Sequence, residues 1–295
     1  MIEARPPDVS EAPAAGALAL PNLIVIGAQK CGTSSLHNYL AVHPQISMSR
    51  IKEINFFNDD TKWAYGPEWY ARHFEPGEVR GESSPAYTFL PESMGTAERM
   101  HRLVPDARLI YLVRDPVERI RSNYIHMRAL ELESRPFGEA ATDPDGIYVN
   151  HTRYATQLQP FIELFGRERL LIASQEKLFS ERADTMRRIF GFLGVDESFE
   201  SPEFERIWGR SEGKGKVYSS LARAAAALQA RGLFPTLPRS IRWRIQKAIR
   251  ADPSARESTA VVATDDVSER IAELLGDEVE RLRAIAGDRF AEWSF

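Results

Sequence analysis

Short apolar runs, each followed by a segment of helical period, set the rhythm of most of the chain. Residues 23–26 read Leu-Ile-Val-Ile and end at Gly27, with the length and β-branching of a buried parallel strand. A polar loop at 28–32 follows. A helix then begins at Thr33, runs through Leu36, Tyr39 and Leu40, and stops before Pro44. The pattern returns at residues 107–113 (ARLIYLV), after which Asp115-Pro116 opens a helix through Ile120, Tyr124 and Met127. Proline suits that first turn, where an N–H has no helical partner to lose. A third run, residues 169–173 (RLLIA), lies between helical stretches at 154–165 and 183–193. Further on, Val267, Ile271, Leu274, Leu275, Val279, Leu282 and Ile285 recur at helical spacing. Strands alternating with helices predict an α/β fold, a single domain with a central parallel β-sheet flanked by helices. That domain is expected over 21–295, behind a flexible Ala- and Pro-rich tail at 1–20. Residues 251–264 are linker-like but stand too near the end to divide two domains.

Composition narrows the classes. With 295 residues, 43% hydrophobic and 27% charged, the chain reads as an ordinary globular protein with a sizeable core. A formal charge of -4 offers no overall field for nucleic acid, so any anion site must be local. Cys31 is the one cysteine, which excludes an intrachain disulfide and a Cys-rich zinc site and agrees with a cytoplasmic location. No apolar run approaches the ~20 residues that span a bilayer.

Two loops carry candidate chemistry. The first, Gly27-Ala28-Gln29-Lys30-Cys31-Gly32-Thr33-Ser34, joins strand to helix and so presents backbone N–H groups and a helix N-terminus to an anion. Its two glycines have the spacing of the P-loop pattern G-x-x-x-x-G-K-S/T, but Thr33 stands where the lysine belongs and Lys30 comes earlier. A displaced lysine suits a shorter anion, such as a single phosphosulfate, without metal. A plain glycine turn with a solvated lysine has the same spacing. In the second loop, Arg114 follows a strand and precedes a helix, where open α/β sheets bind ligands. A surface ion pair of Arg114 with Asp115 or Glu118 is the bland alternative.

Four segments in order carry a family resemblance: residues 23–44 (LIVIGAQKCGTSSLHNYLAVHP), 52–57 (KEINFF), 81–87 (GESSPAY) and 111–124 (YLVRDPVERIRSNY). Together they resemble the sulfotransferases that use 3′-phosphoadenosine-5′-phosphosulfate (PAPS), especially the heparan-sulfate-type branch and its bacterial relatives. The resemblance implies a sulfuryl transfer that leaves 3′,5′-ADP (PAP) and needs no metal. It implies that Gln29, Lys30, Cys31, Gly32, Thr33, Ser34 and Ser35 hold the 5′-phosphosulfate, with Lys30 stabilising the leaving phosphate. Arg114 and Ser122 match the 3′-phosphate ligands, and Lys214, Gly215, Lys216 and Tyr218 look like the late loop that closes over the nucleotide. Glu53 matches the general base, with Lys52 a rival base or partner and Phe56 and Phe57 packing its segment. Glu82 and Ser83 would stand on the acceptor side. Ser83 is a departure, since the heparan-sulfate enzymes usually carry lysine there.

His37, His43 and His126 match no catalytic histidine of the small-molecule branch and read as bystanders. Residues 59–69 and 128–152 are the candidate acceptor walls. The basic stretch 239–250, with Arg239, Arg242, Arg244, Lys247 and Arg250 around Trp243, reads as a solvated helix face, or as a membrane or acidic-acceptor patch. The expected partner is a hydroxyl- or amine-bearing acceptor: a carbohydrate, glycolipid or small metabolite. Nucleic acid and a transmembrane segment are not expected. The competing classes are a P-loop kinase or NTPase, and a nucleotide-binding relative without activity.

Overall fold

The computed structural model describes residues 18–208, 261–288 and 290–295. Five strands form one parallel sheet: β1 (Leu23–Gly27), β2 (Ile46–Met48), β3 (Val79–Ser83), β4 (Arg108–Val113) and β5 (Leu170–Ser174), in the order β2-β3-β1-β4-β5. Every residue of β1 and β5 is buried, as is β4 from Leu109 onward. Burial on both faces is why these three strands are continuous apolar runs. The register is direct at the centre, with Val25 opposite both Ser83 of β3 and Ile110 of β4.

The helices are α1 (Thr33–Ala41), α2 (Asp60–Ala64), α3 (Gly66–Ala71), α4 (Thr96–Leu103), α5 (Pro116–Ala129), α6 (Phe137–Ala141), α7 (Ile147–Asn150), α8 (Tyr154–Phe165), α9 (Gln175–Ser180), α10 (Arg182–Leu193) and a C-terminal helix (Asp265–Ala286). A large core joins the sheet to α1, α8 and α10. A smaller one packs α5, α6 and α7 against Ile271 and Leu275 of the C-terminal helix.

The three expected strands lie within a residue of their predicted bounds, with residues 167–169 forming a 3-10 turn before β5. Two strands were not anticipated. The edge strand β2 has three residues, too few to show a period. In β3 the sequence Val-Arg-Gly-Glu-Ser carries charges where a buried strand is normally apolar. The linker-like stretch and the basic stretch 239–250 lie wholly or largely outside the described residues, as do residues 1–17 of the expected tail.

The sheet topology positions the site. From β1 the chain crosses to β2 and β3 on one side, then over β1 to β4 and β5 on the other. Ligands bind at such a reversal of strand order, outside the carboxyl ends of the strands. The loops leaving β1, β3 and β4 meet there.

Candidate active site

The loop after β1 is built for an anion. Its backbone turns at Lys30 (φ 71°) and again at Gly32 (φ 90°), a left-handed conformation that glycine adopts without the Cβ penalty. Gly32 caps α1 with no side-chain hydrogen bond, and no acidic residue stands in the first turn. The N-terminal N–H groups and partial positive charge of α1 therefore have no acidic side chain of the helix's own first turn to offset them. Gly27 fits beneath because a Cβ there would lie 2.5 Å from the buried Tyr111 ring.

The loop after β4 opens α5. The Asp115 carboxylate caps the helix by accepting from the Glu118 N–H at 3.1 Å, and also accepts from the Ser294 N–H and hydroxyl, both at 2.7 Å. The chain's last residues thus hold the turn that presents Arg114. The Arg114 guanidinium donates to Glu118 Oε2 at 3.0 Å, and Arg121 donates to the same oxygen at 2.8 Å.

A cleft of about 500 Å³ lies between these loops. Gln29, Lys30, Gly32, Thr33 and Ser34 line one wall, and Arg114, Arg121, Ser122, Ile125 and His126 another. Lys52 and Glu53 stand at the side of β3, their side chains ion-paired at 2.8 Å. Among the described residues, four lysine or arginine side chains (Lys30, Lys52, Arg114, Arg121) and one carboxylate, Glu53, line the cleft, so this lining is cationic in a chain of net negative charge. The structure brings together Gln29, Lys30, Gly32, Thr33 and Ser34 of the first loop with Arg114, Ser122 and Glu53, which are far apart in sequence.

Other expectations are corrected. The Cys31 thiol is fully buried and meets the Tyr154 hydroxyl at 3.6 Å, and its ionisation is pushed up to about 11, mainly by burial. It supports the loop from behind. The Ser35 hydroxyl is buried and bonded to the Trp208 backbone, accepting from its N–H at 2.9 Å. Glu82 and Ser83, expected on the acceptor side, are fully buried and are not among the residues that line the cleft. Ser83 instead meets His37 Nδ1 at 3.0 Å. Residues 59–69 and 128–152 also contribute nothing to the cleft lining. Lys214, Gly215, Lys216 and Tyr218 lie outside the described residues.

His43 is buried between Phe190 and Phe199, its Nε2 3.1 Å from the Asp196 carbonyl. His126, by contrast, faces the cleft. Sequence reasoning missed His126, Arg121 and Ile125, as well as Gln175, Phe179, Ile207 and Trp208 on the remaining wall. The first three had a signal: with Ser122 they fall at i, i+1, i+4 and i+5 on one face of α5. The last four come from an α9 helix face and a coil, where no pattern announces them.

The sulfotransferase domain family matches residues 20–211. The chain belongs to that family. Among curated proteins, it is 46% identical over 113 residues to the membrane-associated sulfotransferase kil1 of Dictyostelium discoideum, covering 36% of this chain and 23% of that protein. It is 31% identical over 204 residues to heparan sulfate glucosamine 3-O-sulfotransferase 3B1 of Mus musculus, covering 64% and 50% respectively. The chain therefore spans from under a quarter to half the length of these relatives. A solved sulfotransferase from Alicyclobacillus acidocaldarius superposes with a TM-score of 0.65 at 26% identity, covering 94% of this chain and all of that one. Among the described residues, no helix is long and apolar enough to cross a membrane.

Proposed function

We propose that this sulfotransferase moves a sulfuryl group from PAPS to a hydroxyl or amine of a carbohydrate, glycolipid or small metabolite. The observation that carries the reading is the convergence on one cationic cleft of the β1–α1 loop, the Arg114–Ser122 turn of α5 and Glu53. A nucleotide with phosphate at both ends fits this donor set. The loop N–H groups, Thr33, Ser34 and Lys30 would hold the 5′-phosphosulfate, and Arg114 and Ser122 the 3′-phosphate. Arg121 joins the latter pair by position. When bound, PAPS supplies a sulfuryl group already activated on a good leaving phosphate.

The protein's own part is to position and neutralise. Lys30 places positive charge where the leaving phosphate gains negative charge. Glu53 accepts the proton of the attacking hydroxyl or amine, and Lys52, 2.8 Å from its carboxylate, holds that side chain toward the cleft. A carbohydrate acceptor is supported by the heparan sulfate relatives, although Ser83 replaces a cation that those enzymes usually carry. A cytoplasmic location is part of the reading, supported by the single cysteine.

The test is calorimetric titration with PAP, AMP and ATP, each with and without magnesium. Tight PAP binding without metal, well above AMP and ATP, is expected. Magnesium-dependent ATP binding in place of PAP would make the cleft a kinase or NTPase site. PAP binding with no turnover on any acceptor would leave a nucleotide-binding relative without activity.

A further inference from the structure

The backbone that carries Glu53 is held in an uncommon conformation. Glu53 has φ 65°, a left-handed value that costs a residue with a Cβ about 1–2 kcal/mol, and Asn55 has φ 54°, which asparagine adopts more readily. Such a segment persists only where its surroundings over-determine it. Here four backbone polar groups of the turn have dedicated partners. The Glu53 N–H donates to the Ser83 carbonyl at 2.9 Å, and Lys62 Nζ donates to the Ile54 carbonyl at 2.7 Å. The Asn55 N–H donates to Ser84 Oγ and the Phe56 N–H to the Tyr87 hydroxyl, both at 3.0 Å.

Those two hydroxyls share one anchor. Ser84 Oγ donates to Glu82 Oε2 and the Tyr87 hydroxyl to Glu82 Oε1, each at 2.6 Å, while the Tyr70 hydroxyl donates to Oε1 at 2.5 Å. A hydroxyl has one proton. Because Ser84 and Tyr87 spend theirs on Glu82, their lone pairs are turned toward the amides of Asn55 and Phe56. The stacked Phe56 and Tyr70 rings, 4.3 Å apart, close the same unit. Glu82 is fully buried with no cationic partner among its hydrogen bonds, an expensive way to stabilise a fold.

We propose that Glu82 is a positioning residue: through Ser84 and Tyr87 it fixes the backbone turn that aims the Glu53 carboxylate into the cleft. This rests on Glu53 being the proton acceptor named above. Only a group that accepts at both ends can serve. In Glu82→Gln one end becomes an NH2 donor, so Ser84 or Tyr87 faces donors on both sides and must rotate away from its backbone amide. Tyr87→Phe removes one arm and leaves the carboxylate with two hydroxyl donors, and Ser84→Ala removes the other arm.

The experiment compares wild type with Glu82→Gln, Tyr87→Phe, Ser84→Ala and Glu53→Gln, reading amide hydrogen exchange, PAP affinity and sulfuryl transfer to a desulfated heparan oligosaccharide. Exchange should accelerate about tenfold or more at Asn55 or Phe56 in Glu82→Gln, according to which hydroxyl meets the new NH2, at Phe56 in Tyr87→Phe and at Asn55 in Ser84→Ala, while the β1 and β4 amides stay protected. PAP affinity should hold within about twofold, and kcat should fall about tenfold, without change in the donor KM, for loss of one net hydrogen bond. Adding Glu82→Gln to Glu53→Gln should cost nothing further. Unchanged exchange at the two amides overturns the proposal. So does loosening spread evenly over the sheet, or PAP affinity falling in step with exchange, since either is a purely structural role. If Glu82→Gln does not fold, the Tyr87→Phe and Ser84→Ala exchange patterns decide alone. Full turnover in Glu53→Gln would instead sink the assignment of Glu53 while the exchange result still judged Glu82, and the exchange readout needs no acceptor.

Discussion

Removing Arg114 should change which nucleotide the cleft prefers more than how well the protein folds. The side chain is about one-fifth exposed and its ion partner in the structure is Glu118, 3.0 Å away. Glu118 does not depend on it, because Arg121 donates to the same oxygen at 2.8 Å. A partly exposed pair of this kind contributes about 0–1 kcal/mol to stability, so Arg114→Ala should unfold within about that margin of wild type. Binding is different. A hydrogen bond to a charged group is worth about 1.5–3 kcal/mol when the ligand's phosphate has little water to replace it, or about 10- to 150-fold in affinity. Arg114→Ala should therefore weaken PAP by that factor and AMP, which lacks the 3′-phosphate, by less than about threefold. Calorimetric titration of both nucleotides at one fixed ionic strength reads the ratio, and fixed salt matters because the surrounding cations are screened. Equal weakening of PAP and AMP would show that Arg114 shapes the cleft generally and does not read the 3′-phosphate.

Other consequences are open to direct measurement. Lys30→Ala should lower kcat by about a hundredfold or more while weakening PAP far less, since its charge is needed most where the leaving phosphate becomes more negative; equal losses in kcat and PAP affinity would make Lys30 a binding residue only. Gly27→Ala would drive a Cβ to 2.5 Å from the fixed Tyr111 ring and should cost about 1–3 kcal/mol in chemical denaturation, with PAP binding lost alongside because the anion loop starts at the next residue. Burial, helped by Lys52, pulls His37 down to about 4, so the unfolded chain binds a proton there that the folded chain refuses. Stability should fall as pH drops from about 6.5 toward 4, by about 3 kcal/mol from this group, with His151, also lowered to about 4 by burial, acting in the same direction. Glu82, raised by burial against three hydroxyl donors, acts oppositely just above pH 4.5, and His37→Asn should flatten the acid limb of a urea-denaturation series run across pH.

The legible parts of the sequence were those where one physical signal dominated. β1, β4 and β5 are buried on both faces and so write themselves as unbroken apolar runs. The start of α5 is marked by a capping Asp115 and a proline in the first turn. β3 was hidden because three of its four buried positions are Gly81, Glu82 and Ser83, and the burial of Glu82 is compensated by hydrogen bonds from Tyr70, Ser84 and Tyr87. No window of local sequence reveals that compensation, since the donors come from α3 and the turn after β3. The same concealment sent Glu82 and Ser83 to the acceptor side, where their place in the motif suggested they belonged. Motif spacing located the loops correctly but could not say which side chains turn inward. Cys31 and Ser35 alternate with cleft residues in sequence, yet their side chains point to Tyr154 and Trp208.

The same distinction bears on how the cleft reaches its geometry. Transfer in line needs Lys30 and Glu53 held relative to each other, yet they stand on loops leaving different strands. Both loops are tied to a neighbouring strand: the Ala28 N–H donates to the Leu112 carbonyl of β4 at 2.7 Å, and the Glu53 N–H to the Ser83 carbonyl of β3 at 2.9 Å. Beyond these ties, Lys30, Glu53 and Asn55 all adopt left-handed φ values despite carrying a Cβ. Three such residues in two loops facing one cleft are a local cost that the rest of the fold must offset. Buried hydroxyls, the fully buried Glu82 and the sheet itself supply that offset. A loop free to relax would recover the strain by swinging Lys30 or Glu53 out of line, and rigid placement is what a site that works by positioning and charge requires. The stability given up at these residues is therefore tied to catalysis: a variant that eases the turn and keeps Glu53 and Lys30, such as Asn55→Gly, should gain backbone freedom and lose turnover together.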